Sequence, residues 1–280
     1  MGAKEAAPCR HAGVPPQIVI DNVIQLIRNL GADETNLRRY GLTSEEYRGA
    51  LPAAIETMRG SMSASSGVKR SFLESLFRAM TEAGVISDVQ IPTPGADTVY
   101  RLSVPGAGDV AVIQKGCPDG RHSSVSWSAP NWATETYLWW VCDSTRVEPG
   151  EHIKGGINRL RQRFFSNAPD TIDGVIFHSP LCGTPGRLCP KSTTGMTVAG
   201  VRAPAPCVYI MPERRDGSTE WNWDGTQERL FPAVLLSAFG VTPENVSSYT
   251  GYVGFQRRSG NLRTTITSRY GSGRTTTSRS

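Results

Sequence analysis

A chain of 280 residues with 38% hydrophobic side chains is long enough to bury one large α/β core, or one core with a smaller helical attachment. No apolar run reaches the length of a membrane span and the start lacks a secretory pattern, so a cytoplasmic location is expected; six cysteines in such a length do not make a disulfide scaffold. The net charge is +5, with arginine outnumbering lysine 25 to 5, which suits phosphate contact and equally suits a GC-rich genome.

Residues 1–15 are small, polar and proline-containing, and are expected to be disordered. A helical N-terminal segment is expected over 16–67. Its first helix runs from Pro16 to about Leu30, on the spacing of Ile18, Val19, Val23, Ile24, Leu26 and Ile27. Its second runs from Ser44 to Met58, with Ser44 as N-cap, and a Gly/Ser-rich linker, Gly60–Gly67, follows. The main domain is expected over 68–270. It opens with a helix from Val68 to Ala83, whose apolar face is Phe72, Leu73, Leu76, Phe77 and Met80 and whose stop is Gly84.

Asp97–Val104, Pro105-Gly-Ala-Gly108 and Asp109–Lys115 then read as a β-hairpin. A fold-back centred near Gly106 sets Asp97 beside Lys115 on one sheet face. That pair can hold a divalent cation and a phosphate; a surface ion pair is the plainer reading. A loop over Pro118–Asn131 leads to a buried strand, Thr134–Cys142. Glu151–Phe165 reads as a basic amphipathic helix with Ile153, Ile157, Leu160 and Phe164 inward, and Ile172–His178 as the next strand; a helix between two strands is the crossover of a parallel pair. A turn-rich cysteine segment, the strand Cys207–Met211, a helix from Gln227 to Phe239, strands over Val246–Gln256 and Leu262–Ser268, and a basic tail over 271–280 complete the chain. After Glu244 there is no acidic residue, only Arg257, Arg258, Arg263, Arg269, Arg274 and Arg279. The fold class is α/β, a mixed sheet flanked by helices.

From residue 68 to 178 the order is helix, strand, strand, strand, helix, strand, which resembles the restriction-endonuclease-like core. The run Val110-Ala-Val-Ile-Gln-Lys-Gly-Cys-Pro-Asp-Gly120 resembles the active-site strand of type II restriction endonucleases of the PD-(D/E)XK superfamily. Ile172–Lys191, Ala205–Pro212 and the stretch around Arg59–Ser65 and Lys69–Leu73 are similar to that group as well. The resemblance implies site-specific cleavage of double-stranded DNA assisted by Mg2+, with Mn2+ as the alternative ion. It also implies a homodimer on a symmetric site and a companion DNA methyltransferase. On it, Asp97 is the first metal ligand, Lys115 orients the attacking water or neutralises developing charge, and Glu74 supports a metal from the preceding helix.

One position departs from the pattern. The second acid belongs two residues before the lysine, where Ile113 stands. Gln114 could offer a neutral oxygen if a β-bulge turned it to the Lys115 face. Otherwise the oxygen must come from Asp109, Asp119 or Glu135, and strand parity places Asp109 on the Lys115 face. Without any of these, the chain would be a non-catalytic DNA-binding protein on the same fold.

Two other constellations stand beside this one. His178, Cys182, Cys189 and Cys207 could form a zinc site and make the chain a zinc-stabilised interaction domain, although no Cys-x-x-Cys knuckle occurs and buried thiols are the plainer account. Trp127, Trp132, Trp139 and Trp140 could stack on unpaired bases, but Trp139 and Trp140 lie in an apolar strand and read as core.

Overall fold

The computed structural model describes residues 17–51, 66–93, 98–116, 127–142, 149–164, 172–179, 182, 191, 193–212, 228–270 and 274–279. The strands are β1 (Asp88–Gln90), β2 (Val99–Val104), β3 (Gly108–Gly116), β4 (Glu135–Val141), β5 (Gly174–His178), β6 (Gly195–Val198), β7 (Val201–Pro204), β8 (Cys207–Ile210), β9 (Thr250–Arg258), β10 (Asn261–Tyr270) and β11 (Arg274–Arg279). Nine of them form one mixed sheet in the order β1-β2-β3-β4-β5-β8-β9-β10-β11, and β6 and β7 form a separate hairpin. The chain is therefore α/β with a large mixed sheet, as its patterning implies.

The centre of the sheet is parallel: β3 pairs with β4, and β4 with β5. The helix Pro149–Phe164 makes the crossover between β4 and β5 that the sequence calls for. On either side the ladders turn antiparallel, β2 against β3 and β8 against β5.

Helices cover both faces, which is why β4 is buried along its whole length and reads as a continuous apolar run from Tyr137 to Val141. Helices α1 (Gln17–Asn29), α2 (Glu34–Arg39) and residues 44–51 (α3) precede the sheet. They are followed by α4 (Ser66–Glu82), by the crossover helix α5 and by α6 (Leu230–Ala238). One face holds Leu73, Leu76 and Phe77 of α4 and Phe231 and Leu235 of α6 against Tyr100, Val110, Val112, Tyr137, Trp139 and Ile176. The other packs Ile153, Ile157 and Leu160 of α5 on Ile113, Leu138, Trp140, Val175 and Phe177. Among the described residues no helix is long and apolar enough to cross a membrane.

Local chemistry sets the helix ends. The N-cap ahead of α3 is Thr43 and not Ser44: Thr43 Oγ1 accepts from the Glu46 amide at 3.2 Å, and Glu46 accepts from the Thr43 amide at 2.8 Å, a reciprocal capping box. The Ser44 hydroxyl instead donates to the Gly31 carbonyl. The end of α4 is a Schellman turn, with Gly84 at φ +70° and the Val85 amide on the Met80 carbonyl. Residues 52–58 of the second expected helix, and 1–15, lie outside the described residues. The last segment, expected as a basic tail, supplies β11, which pairs with β10 from Thr265↔Arg279 to Tyr270↔Arg274.

Candidate functional site

The β2–β3 hairpin turns through Pro105-Gly106-Ala107, with Gly106 and Gly108 at φ +80° and +79°, a conformation that suits glycine. Its ladder pairs Val104 with Gly108 and Val99 with Ile113, so the fold-back is centred on Gly106, as the sequence predicts. Thr98 extends the pairing: the Gln114 amide donates to its carbonyl, and its hydroxyl donates to the Gln114 carbonyl, both at 2.8 Å. Asp97 and Asp119 lie outside the described residues.

On its other side β3 keeps an unbroken parallel register with β4, Ile113↔Leu138, Gln114↔Trp139 and Lys115↔Trp140. A strand held in register on both sides has no spare residue, so the bulge that would turn Gln114 toward Lys115 is absent. Side chains then alternate. Gln114 faces α4 with Val112, and Lys115 shares the α5 face with Ile113.

Gln114 is 6% exposed and its Oε1 accepts from the Tyr100 hydroxyl at 3.1 Å. That hydroxyl lies 3.4 Å from the Arg70 carbonyl, and the Arg70 guanidinium is 4.0 Å from Glu74. Burial, with the Glu74 charge as a second cause, pushes the Tyr100 phenol up to about 12. Glu74 and Gln114 are thus brought to one face, linked through Tyr100 and Arg70, while Lys115 points from the other. Tyr100 and Arg70 are members of this polar cluster that the sequence reading missed. A tyrosine in an alternating strand carries no mark of what its hydroxyl will meet.

Asp109 does lie on the Lys115 face, but six residues away along β3, about 20 Å at strand rise. It is already engaged: Arg101 Nη2 lies 2.5 Å from Oδ2 and the Ser103 hydroxyl donates to Oδ1 at 2.9 Å. These two hydrogen bonds hold its carboxyl below the usual range. As a metal ligand beside Lys115, Asp109 is therefore corrected. Glu135 sits at the opposite end of the parallel strands, across from Val110. It accepts from the Leu230 and Phe231 amides at 3.0 and 3.2 Å and from the Tyr137 hydroxyl at 2.6 Å, capping α6, whose own N-cap position holds Arg229.

The carboxyl ends of β3, β4 and β5 form the edge where open α/β sheets usually receive ligands. His178 ends β5 there, fully enclosed, with ring centroids of Phe72, Trp139 and Phe239 at 5.0, 5.8 and 5.8 Å. Among the described residues neither of its ring nitrogens has a geometric hydrogen-bond partner. Burial lowers its pKa from 6.5 to about 4, and the Pro204 carbonyl opposes this weakly. Of the other zinc candidates, Cys207 lies 3.5 Å from the Lys191 ammonium and Cys189 is outside the described residues. Among the described residues no three His, Cys, Asp or Glu side chains are grouped to hold a metal.

The tryptophans divide. Trp127, Trp139 and Trp140 are buried, whereas Trp132 is 36% exposed with the Arg101 guanidinium 4.8 Å from its ring centre. No protein-family model matches this chain, and no match appears among curated proteins or solved structures.

Proposed function

We propose that the chain is a type II site-specific deoxyribonuclease on a restriction-endonuclease-like core, acting on double-stranded DNA as a homodimer. The observation that carries this reading is the hairpin centred on Gly106, whose ladder ends with Thr98 against Gln114. The order α4, β2, β3, β4, α5, β5 supports it, with the short β1 added between α4 and β2 among the described residues. So do the place of Lys115 at the carboxyl end of a central parallel strand and the net charge of +5 on the chain as a whole.

In this reading Lys115 carries its ammonium to the phosphate and offsets charge that develops on the non-bridging oxygens. The ion such enzymes use is Mg2+, which supplies a bound water of lowered pKa. Of the oxygen donors considered for it, Gln114 faces away and Asp109 is paired with Arg101, so the described donors do not fit an ion beside Lys115. No step is therefore assigned to the ion. The same observation favours a second reading, a protein that binds DNA on this face without cutting it.

Incubation of the purified protein with plasmid and phage DNA and Mg2+ or Mn2+ separates the two. Discrete fragments, lost in Lys115→Ala with DNA binding retained, support the nuclease. A mobility shift without cutting under every divalent ion supports the binder, and full activity in Lys115→Ala removes that lysine from the mechanism.

A further inference from the structure

A groove of about 430 Å³ opens on the hairpin face that carries Lys115, lined by Gln90, Pro92, Val99, Arg101, Ser128 and Trp132 among others. Val99 and Arg101 stand opposite Ile113 and Ala111, so the groove and Lys115 share one side of the sheet. Arg101 is four rows from Lys115, on the order of 13 Å at strand rise.

The floor of this groove is a flat platform built in advance. Asp109 and its Ser103 partner fix the Arg101 guanidinium, and the guanidinium lies over one face of the Trp132 indole. Trp132 as a residue is 36% exposed and lines the groove, so its indole is within reach of a ligand there. Because Asp109 already neutralises Arg101, the platform has no surplus charge for a phosphate or a carboxylate. The Gln90 amide and the Ser128 hydroxyl stand at the groove exposed, and neither side chain makes a hydrogen bond among the described residues. A carboxamide beside an aromatic plane suits the donor–acceptor edge of a base.

We propose that this groove receives one unpaired nucleobase, stacked on Trp132 and read at its edge by Gln90 and Ser128. The phosphates of the same strand run toward Lys115. The inference rests on the reading of this face as a nucleic-acid surface and goes beyond the cleavage proposal, since it calls for a single strand or a base turned out of the duplex. DNA and RNA offer the same base chemistry here.

The test uses the full chain in chelator, where cutting cannot interfere. Anisotropy of end-labelled single-stranded dA12 and rA12 and of a 12-base-pair duplex gives affinities. The fluorescence of 2-aminopurine placed within the single strand reports stacking. Trp132→Ala should weaken single-strand binding about tenfold or more and abolish the 2-aminopurine quenching, while Trp132→Phe keeps most of both. Gln90→Ala, at an exposed site, should lose affinity severalfold with the fold intact, and serves if Trp132→Ala does not fold. A preference between dA12 and rA12 identifies the source of the strand, and binding of either supports the groove. Single-strand affinity unchanged in Trp132→Ala, or in Gln90→Ala should the former not fold, overturns the proposal. Failure to cut DNA leaves this result standing. Single-strand binding that ignores Trp132 while the duplex still binds removes the groove alone, and absence of all nucleic-acid binding removes both readings.

Discussion

Acidification from pH 7 to 5 should destabilise this protein through His178 by an amount that can be worked out. The imidazole is enclosed by Phe72, Trp139 and Phe239 and its pKa falls from 6.5 to about 4. Between those values the unfolded chain binds the proton and the folded one does not, so stability rises with pH across that window and is lost on descent through it. The difference integrates to about 2 kcal/mol between pH 7 and 5, and to about 3 kcal/mol once both states are protonated below pH 4. Urea unfolding followed by the fluorescence of the buried Trp139 and Trp140 measures it. His178→Phe, close in volume and suited to an aromatic cage, should flatten the profile by that amount and cost little at pH 7. If His178→Phe loses as much stability from pH 7 to 5 as the parent, the ring is not the buried neutral group described, and the reasoning fails.

Glu135→Ala removes the acceptor for two α6 amides and for the Tyr137 hydroxyl. A lost cap and a buried orphan hydroxyl together should cost about 3 kcal/mol in urea unfolding. Any rise in melting temperature on adding Mg2+ should be the same in the variant as in the parent, because this carboxylate serves the helix. Gly174→Ala would put a methyl 2.7 Å from the Tyr137 ring and 3.0 Å from the Tyr209 carbonyl. It should lower stability by about 1–3 kcal/mol, and a neutral outcome in the same assay would mean that β4, β5 and β8 are less tightly stacked there.

The sheet was legible wherever periodicity was strong. The hairpin declared itself through alternating β-branched residues around Pro-Gly-Ala-Gly, and the crossover through the basic amphipathic helix between two apolar runs. What escaped had no period to read. β1 is three residues long, β6 and β7 mix glycine, threonine and arginine, and β11 is Arg-Thr-Thr-Thr-Ser-Arg, which has the composition of a solvated tail. The capping box ahead of α3 was present as Thr43-Ser-Glu-Glu46, but two adjacent hydroxyl residues made the cap ambiguous by one position. At the candidate site, parity alone gave the opposite facings of Gln114 and Lys115. Whether a bulge would reverse them depends on the register with β4, which is set by distant contacts. The part Glu135 plays was illegible for the same reason, since its partner amides lie 95 and 96 positions later.

That separation orders events in time. A chain leaving the ribosome has completed α4 and β2 to β5 long before Leu230 emerges, so the part of the sheet face which α6 covers, with Glu135 and the Tyr137 ring, waits without its lid. Aromatic rings meant for α6 are then open to other nascent chains, and the risk of misassembly peaks late in synthesis rather than early.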